Sequence, residues 1–142
     1  MEKITIKEIL DSTNGTLVSG NTAQTIDSVC IDTRNLKRGS LFIPLKGENV
    51  DGHTFIKEAF EKGATVCLVD KNFNTTDETY GSLIKVGSTL KALQDLAEYY
   101  RSKFDILVIG VTGSVGKTTT KEMIASVLSE SMEVFKTSEN QN

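Results

Sequence analysis

The chain has 142 residues, of which 25% are charged and 38% are hydrophobic, as in an ordinary folded protein. Its formal net charge of −3, without a basic cluster, argues against nucleic acid as the main partner. No apolar run approaches the ~18 residues of a membrane span, and the N-terminal MEKITIKEIL lacks a signal-peptide core, so we expect a cytoplasmic protein.

The first forty-five residues read as the beginning of a small α/β unit. Thr5 and Glu8 have the spacing of a capping box, and the apolar residues that follow predict a short helix, which Asn14-Gly15 ends. Strands are predicted next at Thr16–Val18, Ser28–Ile31 and Leu41–Leu45. Pro44 in the last of these suggests an edge strand or an irregularity.

Two polar loops follow the second and third of these strands. They are Asp32-Thr33-Arg34 and Leu45–Phe55, LKGENVDGHTF. Loops at strand ends carry binding groups, and this mixture of hydroxyl, guanidinium, ammonium and imidazole groups suits a uridine with its diphosphate. The alternative is that Asp32 pairs locally with Arg34 and that Asp51–Thr54 merely caps the next helix.

The middle of the chain continues the same α/β pattern. A helix is predicted over Thr54–Lys62 with Gly63 as its left-handed stop, and a buried strand over Ala64–Val69. After a polar loop, Lys71–Gly81, the strand Leu83–Val86 closes a first domain, and a helix over Leu90–Tyr100 leads into a second. Cys30 and Cys67 lie in strand-like runs, so we expect buried free thiols without a catalytic role.

A strand, a glycine-rich loop and a helix are predicted in succession near residue 110. Ile106–Ile109 form the continuous apolar run of a parallel strand that is covered on both faces. Glycines up to Gly116 let the backbone turn tightly, and Lys117 and Thr118 follow at the start of the helix. Such a loop favours binding of a polyphosphate. In that interpretation Lys117 is the cation that binds the phosphates, and the Thr118 hydroxyl is a ligand of a magnesium ion. An ordinary strand-to-helix turn would not explain a lysine at this place.

The segment Thr112–Met123, TGSVGKTTTKEM, resembles the ATP-binding loop of the Mur ligases, which build the stem peptide of peptidoglycan. The loop is a variant of the strict pattern, because Val111 stands where that pattern has glycine. The resemblance implies that ATP is bound by Thr112, Gly113, Ser114, Val115, Gly116, Lys117, Thr118 and Thr119. It implies further that Lys117 is catalytic and that Thr118 is a ligand of Mg²⁺.

Three segments of the first half resemble the domain that holds the UDP end of the substrate in the same family. They are Asp32-Thr33-Arg34, Lys46-Gly47 and Asp51–Phe55, in the family's order. The resemblance implies substrate contacts for Thr33, Arg34, Lys46, Gly47 and His53.

The resemblance also implies an architecture, an α/β substrate domain at 1–86 followed by the first βαβ part of a P-loop ATPase domain at 87–142. Val115 and the Lys-Glu-Met continuation favour the family members that add D-alanyl-D-alanine to UDP-N-acetylmuramoyl tripeptide through an acyl phosphate. The alternatives are a lysine- or diaminopimelate-adding member, or a non-catalytic nucleotide-binding module. Because little chain follows the loop, we expect a fragment that is inactive by itself and able to self-associate, and a monomeric full-length enzyme.

Overall fold

A mixed β-sheet organises the first hundred residues of the computed structural model, which describes residues 1–74 and 81–138. Within these ranges the strands are β1 (Ile4–Thr5), β2 (Thr16–Ser19), β3 (Thr25–Ile26), β4 (Ser28–Cys30), β5 (Ser40–Phe42), β6 (Val66–Asp70) and β7 (Ser82–Val86). The α-helices are α1 (Ile6–Thr13), α2 (Ile56–Glu61), α3 (Thr89–Ser102) and α4 (Lys117–Leu128). The predicted α/β fold class is confirmed.

The main sheet has the strand order β2-β7-β6-β5-β4. Strands β4 to β7 are mutually parallel, and β2 is antiparallel to β7 at one edge. The short strands β1 and β3 form a separate antiparallel pair. Because β4 and β5 are parallel neighbours, the two polar loops that follow them both leave the sheet at the carboxyl ends of its parallel strands.

Alternate residues of the central strands pack on opposite faces of the sheet. Val66 and Leu68 join a core cluster that contains residues of α1 and α3, whereas Cys67 and Val69 join a cluster with residues of α2. This period of two covers the sheet with helices on both faces, which explains why β6 reads as a continuous apolar run.

The local signals for helix ends are confirmed. Thr5 caps α1 in a complete capping box with Glu8, and Asn14 ends the helix in the left-handed conformation at φ 49°. Gly63 has φ 99° just after α2. The helix predicted from Thr54 is split, however, because Gly52–Phe55 form a 3₁₀ turn before α2 begins.

The edge position suggested by Pro44 is wrong. Strand β5 lies inside the sheet between β4 and β6 and ends at Phe42, so Pro44 follows the strand. In α3, Thr89, Ala92 and Leu96 are buried, whereas Leu90 is 55% exposed.

The chain divides into two compact units, Met1–Phe104 and Asp105–Asn142. The first unit extends beyond the boundary predicted at Val86, because α3 packs its buried residues into the same core as α1. In the second unit, α4 is present as predicted, but the strands predicted at Ile106–Ile109 and near Val134 are wrong for the described residues, where neither segment forms a β-strand. An apolar run becomes a strand only when a neighbour accepts its backbone hydrogen bonds.

Candidate functional site

The loop after β4 is closed by an ion pair within it. The Asp32 carboxylate accepts hydrogen bonds from Arg34 Nε at 2.9 Å and from the Arg34 backbone N–H at 3.0 Å, and it lies 2.5 Å from Nη2. The Arg34 side chain and backbone hold the pKa of Asp32 at about 2. Because the Arg34 side chain is 85% exposed, it keeps its cationic head in solvent, where it can also meet an anion.

Thr33, between these two residues, faces inward. Its hydroxyl donates to Glu58 Oε1 of α2 at 3.1 Å, and its carbonyl accepts from Lys62 Nζ at 3.0 Å. Lys62 and Glu58 are themselves paired at 2.6 Å, and hydrogen bonds from Lys62 and then Thr33 lower the pKa of Glu58. The sequence did not single out Glu58 or Lys62, although their spacing of four on a helix is a recognisable pair.

The loop after β5 folds into a small hairpin. Lys46 and Asp51 form an antiparallel bridge, Gly47 N–H donates to Val50 O at 2.9 Å, and Gly52 N–H donates to Leu45 O at 3.0 Å. Lys46 and Gly47 are exposed at this hairpin. The predicted cation of the second loop is therefore available to an anionic ligand.

His53 lies in the 3₁₀ turn Gly52–Phe55 after the hairpin and is largely enclosed, with 9% of its side chain exposed. Its Nδ1 lies 2.6 Å from Asp51 Oδ1, and its Nε2 accepts the Asp70 backbone N–H at 3.2 Å. The ring also stacks on Phe73 with centroids 5.4 Å apart. The backbone N–H of His53 and then its ring lower the pKa of Asp51.

The glycine-rich loop of the second unit has the backbone that its glycines predict. Gly113 and Gly116 have φ of 148° and 80°, and Gly116 is the N-cap of α4. Lys117 Nζ reaches back across the loop to donate to Gly113 O at 2.8 Å. The lysine thus lies over the loop at the positive end of the helix dipole, the arrangement that favours a phosphate.

The loop residues fit the predicted nucleotide and metal in kind. Thr118 and Thr119 are exposed in the first turn of α4 and carry hard hydroxyl oxygens, the donor type that Mg²⁺ prefers. Within residues 1–74 and 81–138, no three His, Cys, Asp or Glu side chains are grouped as around a metal ion. The ATP and Mg²⁺ ligands named from the sequence therefore stay predictions.

Both cysteines are free thiols within the first unit. Cys67 is fully buried, and burial raises the pKa of its thiol far above the ordinary value. Cys30 is half-buried and donates to Asp32 O. A buried, protonated thiol is a poor nucleophile, which agrees with a packing role.

In the described ranges, no helix has the length and apolarity that crossing a bilayer requires.

Two family models match the chain in succession. The model of the Mur ligase family, catalytic domain, matches residues 25–101, and the Mur ligase middle domain matches residues 111–142. The chain belongs to the Mur ligase family. The first match ends at residue 101 in α3 and the second begins at residue 111, on either side of the division between the two compact units.

Among Mur ligase relatives, the chain is 47% identical over its whole length to UDP-N-acetylmuramoyl-tripeptide–D-alanyl-D-alanine ligase of Bacillus subtilis. It is 40% identical over 88% of its length to UDP-N-acetylmuramoyl-L-alanyl-D-glutamate–2,6-diaminopimelate ligase of Clostridium tetani. It covers 31% of the first protein and 26% of the second, so it spans about a third or less of the length of these relatives.

Solved Mur ligases share the fold. Crystal structure II of MurF from Acinetobacter baumannii superposes with a TM-score of 0.85 at 31% identity, over all of this chain and 31% of that one. MurF ligase from Thermotoga maritima, crystallised in complex with ADP, superposes with a TM-score of 0.68 at 35% identity, over 81% of this chain and 26% of that one.

The structure separates the five predicted substrate contacts of this Mur ligase chain into two kinds. Arg34, Lys46 and Gly47 are exposed on the loops at the carboxyl ends of β4 and β5. Thr33 and His53 instead point their polar atoms into the protein. The local alternative for the two loops is present as well: Asp32 pairs with Arg34, and Asp51 caps the 3₁₀ turn. Neither arrangement prevents binding through the exposed groups.

Proposed function

We propose that the full-length protein is an ATP-dependent ligase that joins D-alanyl-D-alanine to UDP-N-acetylmuramoyl tripeptide in the cytoplasm. The observation that carries the proposal is the match over the whole chain, at 47% identity, to a ligase of that name. ATP phosphorylates the terminal carboxyl of the tripeptide to an acyl phosphate and leaves as ADP. The amine of D-alanyl-D-alanine then attacks the acyl carbon, and the amide bond forms as inorganic phosphate leaves. Peptidoglycan precursor synthesis would be its pathway.

The glycine-rich loop is the proposed ATP site. Lys117, held over Gly113 at the start of α4, supplies a positive charge where phosphates meet the helix N-terminus. The loop residues 112–119 would bind the phosphates, and the Thr118 hydroxyl would hold Mg²⁺, which would neutralise phosphate charge. MurF ligase from Thermotoga maritima was crystallised in complex with ADP, which supports nucleotide binding by proteins of this family.

The two loops after β4 and β5 are the proposed site for the UDP end of the substrate. They follow the carboxyl ends of two neighbouring parallel strands, where α/β proteins commonly bind ligands. Arg34 and Lys46 present two cations there, which suits the two phosphates of UDP. Thr33, Gly47 and His53 belong to the same two loops.

A second candidate function is the diaminopimelate-adding reaction, favoured by the 40% identity to a ligase of that name. The two differ in both substrates, so one assay separates them. The purified full-length protein is incubated with Mg-ATP and either UDP-N-acetylmuramoyl tripeptide plus D-alanyl-D-alanine or UDP-N-acetylmuramoyl-L-alanyl-D-glutamate plus diaminopimelate. We expect ADP and a pentapeptide product, identified by mass, only with the first pair. ADP release with the second pair alone would overturn the proposal.

A further inference from the structure

His53 has its polar atoms occupied by the protein. Because the Asp70 backbone N–H donates to Nε2, the ring hydrogen lies on Nδ1 and donates to Asp51 Oδ1. One ring face stacks on Phe73, and 9% of the side chain is exposed. A ring in this state has neither a nitrogen nor much surface to offer a ligand.

The same contacts fix the hairpin that carries Lys46. Asp51 Oδ1 accepts both the backbone N–H of His53 at 3.0 Å and its ring Nδ1 at 2.6 Å. Asp51 is in turn the bridge partner of Lys46, and Gly47 is bonded to Val50 inside the hairpin. Any shift of Asp51 therefore moves the backbone of Lys46.

On its other side, His53 is joined to the end of β6. The Asp70 backbone N–H bonds the ring, and Asp70 Oδ1 accepts the Thr89 backbone N–H at 2.9 Å in the first turn of α3. A continuous series of hydrogen bonds thus runs from the hairpin through His53 to a rigid strand and a helix start. Polar groups that are locked in this way hold a loop in one place.

We infer that His53 is a positioning residue, which holds the Lys46–Asp51 hairpin against Asp70 so that Lys46 meets the phosphates of a nucleoside diphosphate, and that His53 does not touch that ligand. The inference rests on the proposed function, because it takes the hairpin to be part of the UDP site. It replaces the direct contact that the family resemblance implies for His53, and it adds Asp51 and Asp70 to the residues that shape the site.

A double-mutant cycle on the 142-residue chain, with UDP as the probe and calorimetry as the measurement, tests this role. We expect Lys46→Ala to weaken UDP binding about tenfold, because it removes a charged hydrogen bond to the ligand. We expect His53→Ala to weaken it about fivefold, because the Lys46 side chain is then no longer held in position. Because His53 acts through Lys46, the double variant should bind within about twofold of Lys46→Ala alone. Arg34→Ala, on the other loop, is the matched control, and its loss should multiply with that of His53→Ala.

Conservative variants of Asp51 keep the test decisive if His53→Ala folds poorly. Asp51→Asn retains an oxygen for both His53 donors and should bind UDP within about twofold of the unsubstituted chain, whereas Asp51→Ala should lose about fivefold. In ligand-free Asp51→Ala, amide NMR shifts should change in the hairpin and around Asp70.

The possible failures are distinguishable. Losses of His53→Ala and Lys46→Ala that multiply to about 50-fold would show that His53 contacts the ligand itself, and would overturn the positioning role. Equal losses in Asp51→Asn and Asp51→Ala would overturn it as well, since charge and not placement would then matter. An unsubstituted chain that does not bind UDP would overturn the proposed function, and the positioning role with it.

Discussion

Lys117 is the residue on which the proposed chemistry depends most. Its ammonium group lies over the glycine-rich loop, 2.8 Å from Gly113 O, at the N-terminus of α4. In the full-length protein, Lys117→Ala should lower turnover by about 10² or more, because it removes charge stabilisation of the transferring phosphoryl group. The KM for the UDP substrate should change little, since the first unit is untouched. Steady-state kinetics beside Lys91→Ala, an exposed lysine of α3, checks this, and near-normal turnover of Lys117→Ala would contradict the assignment.

Glu8 links α1 to α3 and should make folding stability depend on acid. The Thr5 backbone N–H first, and then Lys103 and Tyr99, lower the pKa of Glu8 from 4.5 to about 2. A carboxyl group whose pKa is lower in the folded state stabilises that state above the unfolded pKa, and this stabilisation is lost as the pH falls from about 4.5 to 2.

The variant Glu8→Gln measures that contribution. At pH 7 its free energy of unfolding should be lower by about 1–2 kcal/mol, a value that allows for screening by solvent. The difference from the unsubstituted chain should shrink toward pH 2, as followed by urea denaturation at several pH values. Glu61→Gln, at an exposed position of α2, serves as the control. A difference that stays constant with pH would contradict the assigned cause.

Among the elements, the hairpin after β5 depends on glycine at position 52. A Cβ there would lie 2.7 Å from Leu45 O and 2.8 Å from Leu45 N, both backbone atoms that cannot move aside. Gly52→Ala should therefore lower the free energy of unfolding by about 1–3 kcal/mol. Gly87→Ala is the matched control, because a Cβ at Gly87 meets nothing within 4 Å. Thermal unfolding of both variants decides the point, and equal melting temperatures would show that the hairpin adapts.

Elements with a local signature could be predicted from the sequence, and those that need a distant partner could not. The capping box of α1 and the apolar run of β6 are each contained in a few consecutive residues, so the predicted bounds of these elements lie close to those in the structure. Ile106–Ile109 carry an equally good strand pattern but do not form a β-strand, because sheet formation depends on a neighbouring strand. The two polar loops also have a local signature, so the sequence predicts their positions. The inward contacts of Thr33 with Glu58 and of His53 with Asp70 depend on tertiary packing, which residue spacing does not encode.

At the scale of the whole molecule, α3 belongs to the fold of the first unit. Ala92 and Leu96 are buried in the core with α1, and Tyr99 bonds Glu8 at 2.8 Å. Residues 1–104 should therefore fold independently, whereas residues 1–86 should lose about 3 kcal/mol or more of unfolding free energy. Urea denaturation of the two truncated chains gives the comparison. A chain ending at residue 86 with the same stability would mean that α3 contributes no net packing.

The second unit leaves much apolar surface in solvent. Exposure reaches 78% at Leu107, 71% at Val127 and 96% at Phe135, and α4 has no fully buried residue. Large apolar side chains that are exposed to this extent favour association. We expect the 142-residue chain to sediment as oligomers at micromolar concentration, and residues 1–104 to remain monomeric under the same conditions.

The 142-residue chain by itself should not be an active ligase. Its described residues supply the proposed phosphate-binding loop with Lys117, but no cluster of three or more His, Cys, Asp or Glu side chains for a metal, and the apolar run before the loop does not form a β-strand. Phosphoryl transfer requires the loop, the metal and the substrate to be held in fixed relative positions, and a loop without a supporting sheet cannot hold them. With UDP-N-acetylmuramoyl tripeptide, D-alanyl-D-alanine and Mg-ATP, the purified chain should release no ADP above background, whereas the full-length protein should turn over. Multiple turnovers by the 142-residue chain would show that loop and helix alone suffice for catalysis.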